Sequence, residues 1–381
     1  MKTVYFDSAA TTQVRPEVVD VMTNVLLNTY GNASSTHSPG RSAKSLIESA
    51  RKTVAKYLNV TPAEIIFTSG GTEADNLAIN SAVRDLGVKT IITSRIEHHA
   101  VLYMVNQLQV QYKVEVEYVH LDKYGHIDYN HLEELLSKSS NVLVSLMHIN
   151  NEIGNILDIK RVGELCRANN ALFHSDTVQS VGHYPMDLQT LEVDFMAVSA
   201  HKFHGPKGVG FAFIRKSSGL KPLIFGGEQE RGLRAGTESV HNIVGLEKAL
   251  QISYDNLTEE SDYIKGLKGY FMGEILKAIP TVEFNGHCAS FDESTYTLVN
   301  VNLPVSPEKA PMLLFQLDLK GIACSKGSAC QSGSQKGSHV LNQVQNEAQK
   351  QKPSLRFSFS KFNTKADIDY VVKELAQIVN L

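Results

Sequence analysis

Short apolar runs alternate with amphipathic stretches through the first two-thirds of the chain. EIIFTSG, KTIITS, VEVEYVHL, NVLVSLMHI, ALFHSD, DFMAVSA and GVGFAFI are rich in β-branched and aromatic residues and read as buried strands. Between several of them, residues 73–85, 100–108 and 159–169 space their apolar positions as a helix does. This alternation predicts an α/β fold, with a mostly parallel central sheet flanked by helices. The last third changes character. Helical patterns over 259–279 and 307–319 mix with the short strands TYTLVNVNL and SLRFSFS, and a helix over 365–379 closes the chain. That mixture predicts a smaller α+β domain. The division is placed at a large domain of residues 13–257 and a small domain of 1–12 with 258–381. No internal repeat of fixed period is visible.

Two segments break the pattern. YGNASSTHSPGRSAKS (30–45) and SKGSACQSGSQKGS (325–338) are poor in apolar groups and read as solvated loops.

Composition narrows the picture. The chain has 381 residues, 42% hydrophobic and 20% charged, which is ordinary for a globular protein with a sizeable core. A net charge of -3 gives no footprint for nucleic acid or for a polybasic membrane surface. The start, MKTVYFDSAATTQV, is too polar for a signal peptide, and no apolar run approaches the roughly 20 residues of a membrane span. A cytoplasmic protein is expected. Four cysteines in a chain this long do not form a disulfide framework, and the absence of C-x-x-C argues against a zinc knuckle. No metal site is expected.

Candidate chemistry gathers at the predicted strand ends, where open α/β sheets carry their functional groups. DFMAVSA runs into His201 and Lys202. A partly desolvated lysine there is a nucleophilic amine suited to an aldehyde cofactor, against the alternatives of a surface lysine or of Lys207 in the next turn. ALFHSD ends in Asp176, which suits either a protonated pyridine nitrogen or a helix N-cap, with Gln179 beyond it. EIIFTSGGT turns through Gly70 and Gly71 into Thr72 at a helix start, an anion cradle without the endings of an ATP loop or a dinucleotide fingerprint. His98 and His99 follow the next strand; only one can face inward, to stack on a ring and move protons. Asn150, Asn151 and Glu152 follow another and fit either a ligand contact or a plain turn.

The order and spacing of these stretches resemble the class V, fold-type I pyridoxal-phosphate (PLP) enzymes, and most closely cysteine desulfurases of the IscS/NifS type. YFDSAATT, YGNASSTHSPGR, FTSGGTEADNLAI, EHHAV, MHINNEIG, DTVQS, SAHKFHGPKGVG, GGEQERGLRAGTESVHNIVG, SKGSACQSGS and SLRFSFSKFNT carry the likeness over essentially the whole chain. The resemblance implies that Lys202 carries PLP and serves as base, Asp176 pairs with its ring nitrogen, and Gln179 meets its phenolic oxygen. It assigns the phosphate to Gly71, Thr72, Ser199 and His201, with Thr237 completing the site of the other subunit, so a homodimer is implied. His98 stacks on the ring and moves protons, Asn151 lies beside cofactor and substrate, and Arg356 clamps the substrate carboxylate as a bidentate fork. Cys330 takes the sulfur of L-cysteine as a persulfide, alanine leaves, and an acceptor protein for iron–sulfur assembly or tRNA thiolation receives the sulfur. No direct partnership with nucleic acid or membrane is implied.

The loop departs from the family in two places. Relatives often read S-S-G-S-A-C, where this chain has SKGSAC with Lys326. They often read S-L-E-P-S-H-V-L, where it has SQKGSHVL. A thiol needs a base or positive charge to ionise near neutral pH, and His98 and Lys326 are the candidates. Cys324 is a second thiol close by, and Cys166 and Cys288 read as structural. Two other readings stand beside this one. The first is a selenocysteine lyase or another class V lyase or aminotransferase. The second is a sulfur carrier or scaffold protein without catalysis.

Overall fold

The computed structural model describes residues 3–216, 218–326 and 337–380, so Cys330 lies outside the described residues. The chain opens with β1 (Val4–Tyr5), α1 (Pro16–Asn28) and α2 (Ser38–Tyr57). Strand β2 (Ile65–Thr68) leads into α3 (Gly71–Leu86), and β3 (Thr90–Thr93) into α4 (His99–Tyr112). Next come β4 (Glu115–Tyr118), α5 (Tyr129–Lys138), β5 (Val142–Ser145), α6 (Ile159–Ala168), β6 (Leu172–Asp176), β7 (Phe195–Ser199) and β8 (Gly210–Ile214). The remainder holds α7 (Val240–Asp255), α8 (Leu257–Ala278), β9 (Glu283–Phe284), β10 (Leu298–Asn302), α9 (Leu313–Leu319) and β11 (Ile322–Ala323). Two single-turn helices, α10 (Leu341–Val344) and α11 (Glu347–Lys350), precede β12 (Ser354–Ser358) and α12 (Lys365–Asn380).

The seven strands read from the sequence form one sheet in the order β2-β8-β7-β6-β5-β3-β4. Pairings among β4, β3, β5, β6 and β7 are parallel, and β8 runs antiparallel between β7 and β2. All but β8 therefore point the same way, and their carboxyl ends open on one edge. Alternation within each strand sends neighbours to opposite faces. Val142, Val144, Met196, Val198, Phe211 and Phe213 join a core with α2, α6 and α7. Leu143, Phe195, Ala197, Ala212 and Ile214 join a second core with α3 and α4. The result is a three-layer α/β/α body, as expected from the sequence.

The smaller part centres on the antiparallel sheet β12-β10-β9. Its core takes Val299, Val301, Leu355 and Phe357 from the strands, Leu267 and Phe271 from α8, and Val371 and Leu375 from α12, with Val4 and Phe6 from the N-terminus. Helix α7 packs on α1 and α2, whereas α8 packs on α12. On these packings we propose the division after residue 257. A bidentate ion pair, Arg15 to Glu260 at 2.8 and 2.6 Å, ties the parts together.

One expectation is corrected. The stretch 30–45 is not all loop, because α2 begins at Ser38. His37 caps it by accepting from the Gly40 N–H at 3.2 Å, and a proline sits in its first turn. Small side chains there are packing surface: Ala43, Ile47, Ala50 and Val54 are buried at helical spacing. No helix among the described residues is long and apolar enough to cross a membrane.

Candidate active site

The strand ends converge on a cavity of about 500 Å³. At the end of β2 the chain turns through Gly70, whose φ of 153° is a conformation that favours glycine, into the first turn of α3. A Cβ on Gly71 would lie 2.5 Å from Val178 Cγ2, so the turn has no room for a side chain. Unpaired backbone N–H groups and the helix dipole make this turn an anion site. Ser199, from the end of β7, and His201 line the same cavity.

Beyond β7 a single 3-10 turn, Ala200–Lys202, carries the lysine. Lys202 is half-buried, and its Nζ donates to the carbonyls of Ala9 and Ala10 at 2.6 and 2.8 Å. The N-terminal segment is thus part of the site. Gln179 Nε2 donates to the same Ala9 carbonyl at 3.0 Å. Lys207, the competing lysine, also lines the cavity but is exposed.

Asp176 ends β6 and is buried. One carboxylate oxygen accepts from the Val178 N–H at 2.9 Å, so it makes the turn contact expected of a cap while still lining the cavity. Burial pushes its carboxyl up, and the nearby His98 and Lys202 pull it back. A ligand cation against it would favour the carboxylate further.

His98 caps α4, its Nδ1 accepting from the Ala100 N–H at 3.1 Å. Burial pushes its imidazole down, Asp176 opposes that, and Lys202 and His339 add to it. His98 faces the cavity, while His99 stacks on Tyr103 and packs against His339. The asparagine pair divides in the same way. Asn150 makes the turn, its Oδ1 accepting from the N–H groups of Glu152 and Ile153, and Asn151 lines the cavity.

Arg356 comes from β12 and is almost wholly buried. It donates to the Asn151 carbonyl at 2.6 Å and to Asp7 Oδ1 at 2.8 Å, and its Nε has no partner among the described residues. Ser325 donates to the same Asp7 oxygen at 2.8 Å and pairs with Arg356 through the backbone. On the far side of residues 327–336, Ser338 donates to Glu152 Oε2 at 2.5 Å, and the His339 ring lies 2.9 Å from the Glu97 carbonyl. The described chain on both sides of Cys330 is therefore fastened beside the cavity.

Ten expected residues line this one space: Gly71, Thr72, His98, Asn151, Asp176, Gln179, Ser199, His201, Lys202 and Arg356. Thr237 is exposed and does not line the cavity of its own chain. Two partners escaped the sequence reading. Asp7 holds Arg356, and Asp75 of α3 is a fully buried wall residue. Burial, Asp176 and Glu97 all push the Asp75 carboxyl well up. Its one sequence signal is an acid on the same helix face as Ala78 and Ile79. Together the groups suit a ligand with an anionic end, an electrophilic carbon and a basic ring nitrogen.

Comparison with known proteins gives the family of the chain. The aminotransferase class-V family profile matches residues 4–371. The chain belongs to that family. It is 40% identical to the cysteine desulfurase IscS of Dictyoglomus turgidum over 378 residues, covering 99% of this chain and 94% of that one. The cysteine desulfurase IscS of Methanosarcina thermophila is 42% identical over 382 residues, with 99% and 92% covered. Among solved structures, a NifS-like protein superposes with a TM-score of 0.90 at 34% identity over the whole of both chains. SspA in complex with cysteine gives 0.80 at 31% identity, covering 95% of this class-V chain and all of that one.

The remaining cysteines of this family member are poor nucleophiles. Burial pushes Cys288 up to about 11 and Cys166 higher still, and burial with Asp7 pushes Cys324 up to about 12.

Proposed function

We propose that the protein is a PLP-dependent cysteine desulfurase that converts L-cysteine and the Cys330 thiol into L-alanine and a Cys330 persulfide. The observation that carries this reading is the meeting of Lys202, Asp176, His98, Arg356 and the Gly71 cradle in one cavity.

The donor set fits PLP. Gly71, Thr72, Ser199 and His201 suit its phosphate, Asp176 its ring nitrogen, Gln179 its phenolic oxygen, and Lys202 its aldehyde. When bound, PLP supplies an electron sink for charge that develops at the substrate α-carbon. Lys202 takes and returns the α-proton, and the Ala9 and Ala10 carbonyls hold its amine in place meanwhile. Arg356 receives the substrate carboxylate, with its guanidinium oriented by Asp7 and the Asn151 carbonyl. Burial keeps His98 neutral near pH 7, ready to exchange a proton. Cys330 is five residues from Ser325, a tether of at most about 18 Å, which is enough chain to reach the cavity. The bond formed is S–S and the bond broken is the substrate C–S bond. Electrons and atoms balance without an outside oxidant.

We further infer a homodimer in which Thr237 serves the partner's phosphate site, an acceptor protein that takes the persulfide sulfur for iron–sulfur assembly or thiolation, and a cytoplasmic setting. The described cysteines, Cys166, Cys288 and Cys324, are free thiols, which suits a reducing compartment. The test is to supply purified holoenzyme with L-cysteine and a reductant and to assay alanine and sulfide. Alanine formation that fails in Cys330→Ala, while selenocysteine cleavage continues, supports the desulfurase. Unchanged cysteine turnover in Cys330→Ala overturns the role of Cys330.

A further inference from the structure

We propose that His126, His287 and Glu293 form a binding site for a divalent transition metal of the zinc class, distinct from the Lys202 cavity. Their ligand atoms all lie within 4.8 Å of one another. The two imidazole rings meet edge to face with centroids 4.5 Å apart, and His287 Nδ1 lies 2.5 Å from Glu293 Oε2. Two imidazoles and one carboxylate are a donor set for zinc, with a position left for water. Calcium and magnesium prefer oxygen alone.

The ligands are held before any metal arrives. Asp122 accepts from the backbone N–H groups of Tyr124 and His126, and a bridge between Leu121 and Ile127 closes that turn. The other Asp122 oxygen lies 3.6 Å from His126 Nδ1. This leaves Nε2 as the ligand atom, with a carboxylate behind the ring, an arrangement that orients metal-bound histidines and raises their basicity. On the other arm, the His287 N–H donates to Asn155 Oδ1 at 3.2 Å and its ring packs on Tyr124 at 4.0 Å. The Glu293 carbonyl accepts from the Ile156 N–H at 3.0 Å.

A second observation points to a cation. His126 and Glu293 stand in the wall of a separate cavity of about 430 Å³. Glu97, Asp158 and Asp292 also line it, and among the described residues no lysine or arginine does. Glu97 is fully buried, and its Oε2 has no hydrogen-bond partner among the described residues. The metal would join the turn after β4 to the segment that leads into β10, pinning the two parts of the chain together.

The test uses full-length holoenzyme in a Cys330→Ala background, so that the loop thiol does not compete for metal. After chelator treatment and dialysis, zinc chloride is titrated by calorimetry and bound zinc is measured by elemental analysis. The site predicts one equivalent of zinc, an affinity at least about tenfold weaker in His287→Ala and in Glu293→Gln, and a zinc-dependent rise in Tm that these variants lose. Cobalt in place of zinc should show ligand-field bands without a sulfur charge-transfer band. Glu293 is an exposed side chain, so its glutamine variant keeps the test sound if a histidine variant misfolds. A parent protein that holds no stoichiometric zinc, or a Glu293→Gln protein that binds it as the parent does, overturns the proposal.

Discussion

Two pairs of neighbouring residues face opposite ways. His98 and Asn151 line the cavity of Lys202, while Glu97 and Asn150 line the cavity beside His126, and Met147 stands between the two and touches both. The first cavity gathers Lys202, Lys207, Arg356 and a helix N-terminus, so it suits an anionic group. The second gathers four acidic side chains, Glu97, Asp158, Asp292 and Glu293, with Glu97 the buried one, and no lysine or arginine among the described residues. The two spaces share the loops after β3 and β5, where the turns send Glu97 and Asn150 to one cavity and His98 and Asn151 to the other. A single step along the chain therefore exchanges an environment for anions with one for cations. A family resemblance reads the first set well because each member sits in a recognisable strand-end stretch. The second set carries no such signature.

The largest effect that sharpens this contrast is expected from Lys202→Ala. It should lower alanine formation from cysteine by on the order of 10³-fold or more with the fold retained by circular dichroism. Lys207→Ala, an exposed residue on the same wall, should stay within about twofold. Equal losses would erase the distinction between the two lysines.

On the acidic side, burial pushes the Glu97 carboxyl up to about 8 from an ordinary value of 4.5. Between those values the folded chain holds a proton that the unfolded chain has released, so stability falls as pH rises from about 4.5 to about 8. Glutamine cannot ionise and can still accept from the Met147 N–H and the Ser94 hydroxyl. From pH 5 to pH 9, Glu97→Gln should gain roughly 4 kcal/mol on the parent protein in urea unfolding. A difference that does not change with pH would show that Glu97 titrates normally.

Arg356→Lys keeps the charge and loses the fork. It should raise KM for cysteine by roughly 30-fold, about 2 kcal/mol, with a smaller change in kcat. A fall in kcat alone would move Arg356 from substrate binding to a positioning role. The smallest effect is expected at the cradle. Gly71→Ala forces its Cβ against Val178 and should cost about 1–2 kcal/mol of cofactor affinity, measured by reconstitution of the apoprotein. Adding Val178→Ala should restore part of it, and no restoration would mean that the glycine is needed for its backbone rather than for space.

How much of this was legible varies by region. The seven strands of the large sheet were readable because apolar runs end at Gly, Ser and polar turns, and those ends are the site. Helix α2 was obscured by small residues, since Ser and Gly carry no apolar stripe, although Pro39 and His37 mark its start. Asp7 and Asp75 were missed for another reason. An acid near the N-terminus and one within a helix become site residues only once Arg356 and Asp176 are packed against them. His126 and His287 lie in separate thirds of the chain, and only the fold brings their rings together. Thr237 belongs to a reading that needs a second subunit.

Transfer of the L-cysteine sulfur to Cys330 is the step on which the proposed function rests. Its most direct test is intact-protein and peptide mass spectrometry after brief incubation of holoenzyme with L-cysteine and no reductant, with alanine quantified in parallel. One added sulfur atom is expected on the Cys330 peptide, in step with alanine, and neither in Lys202→Ala. Alanine released with no sulfur on Cys330, or with the sulfur on Cys324 instead, would contradict that step.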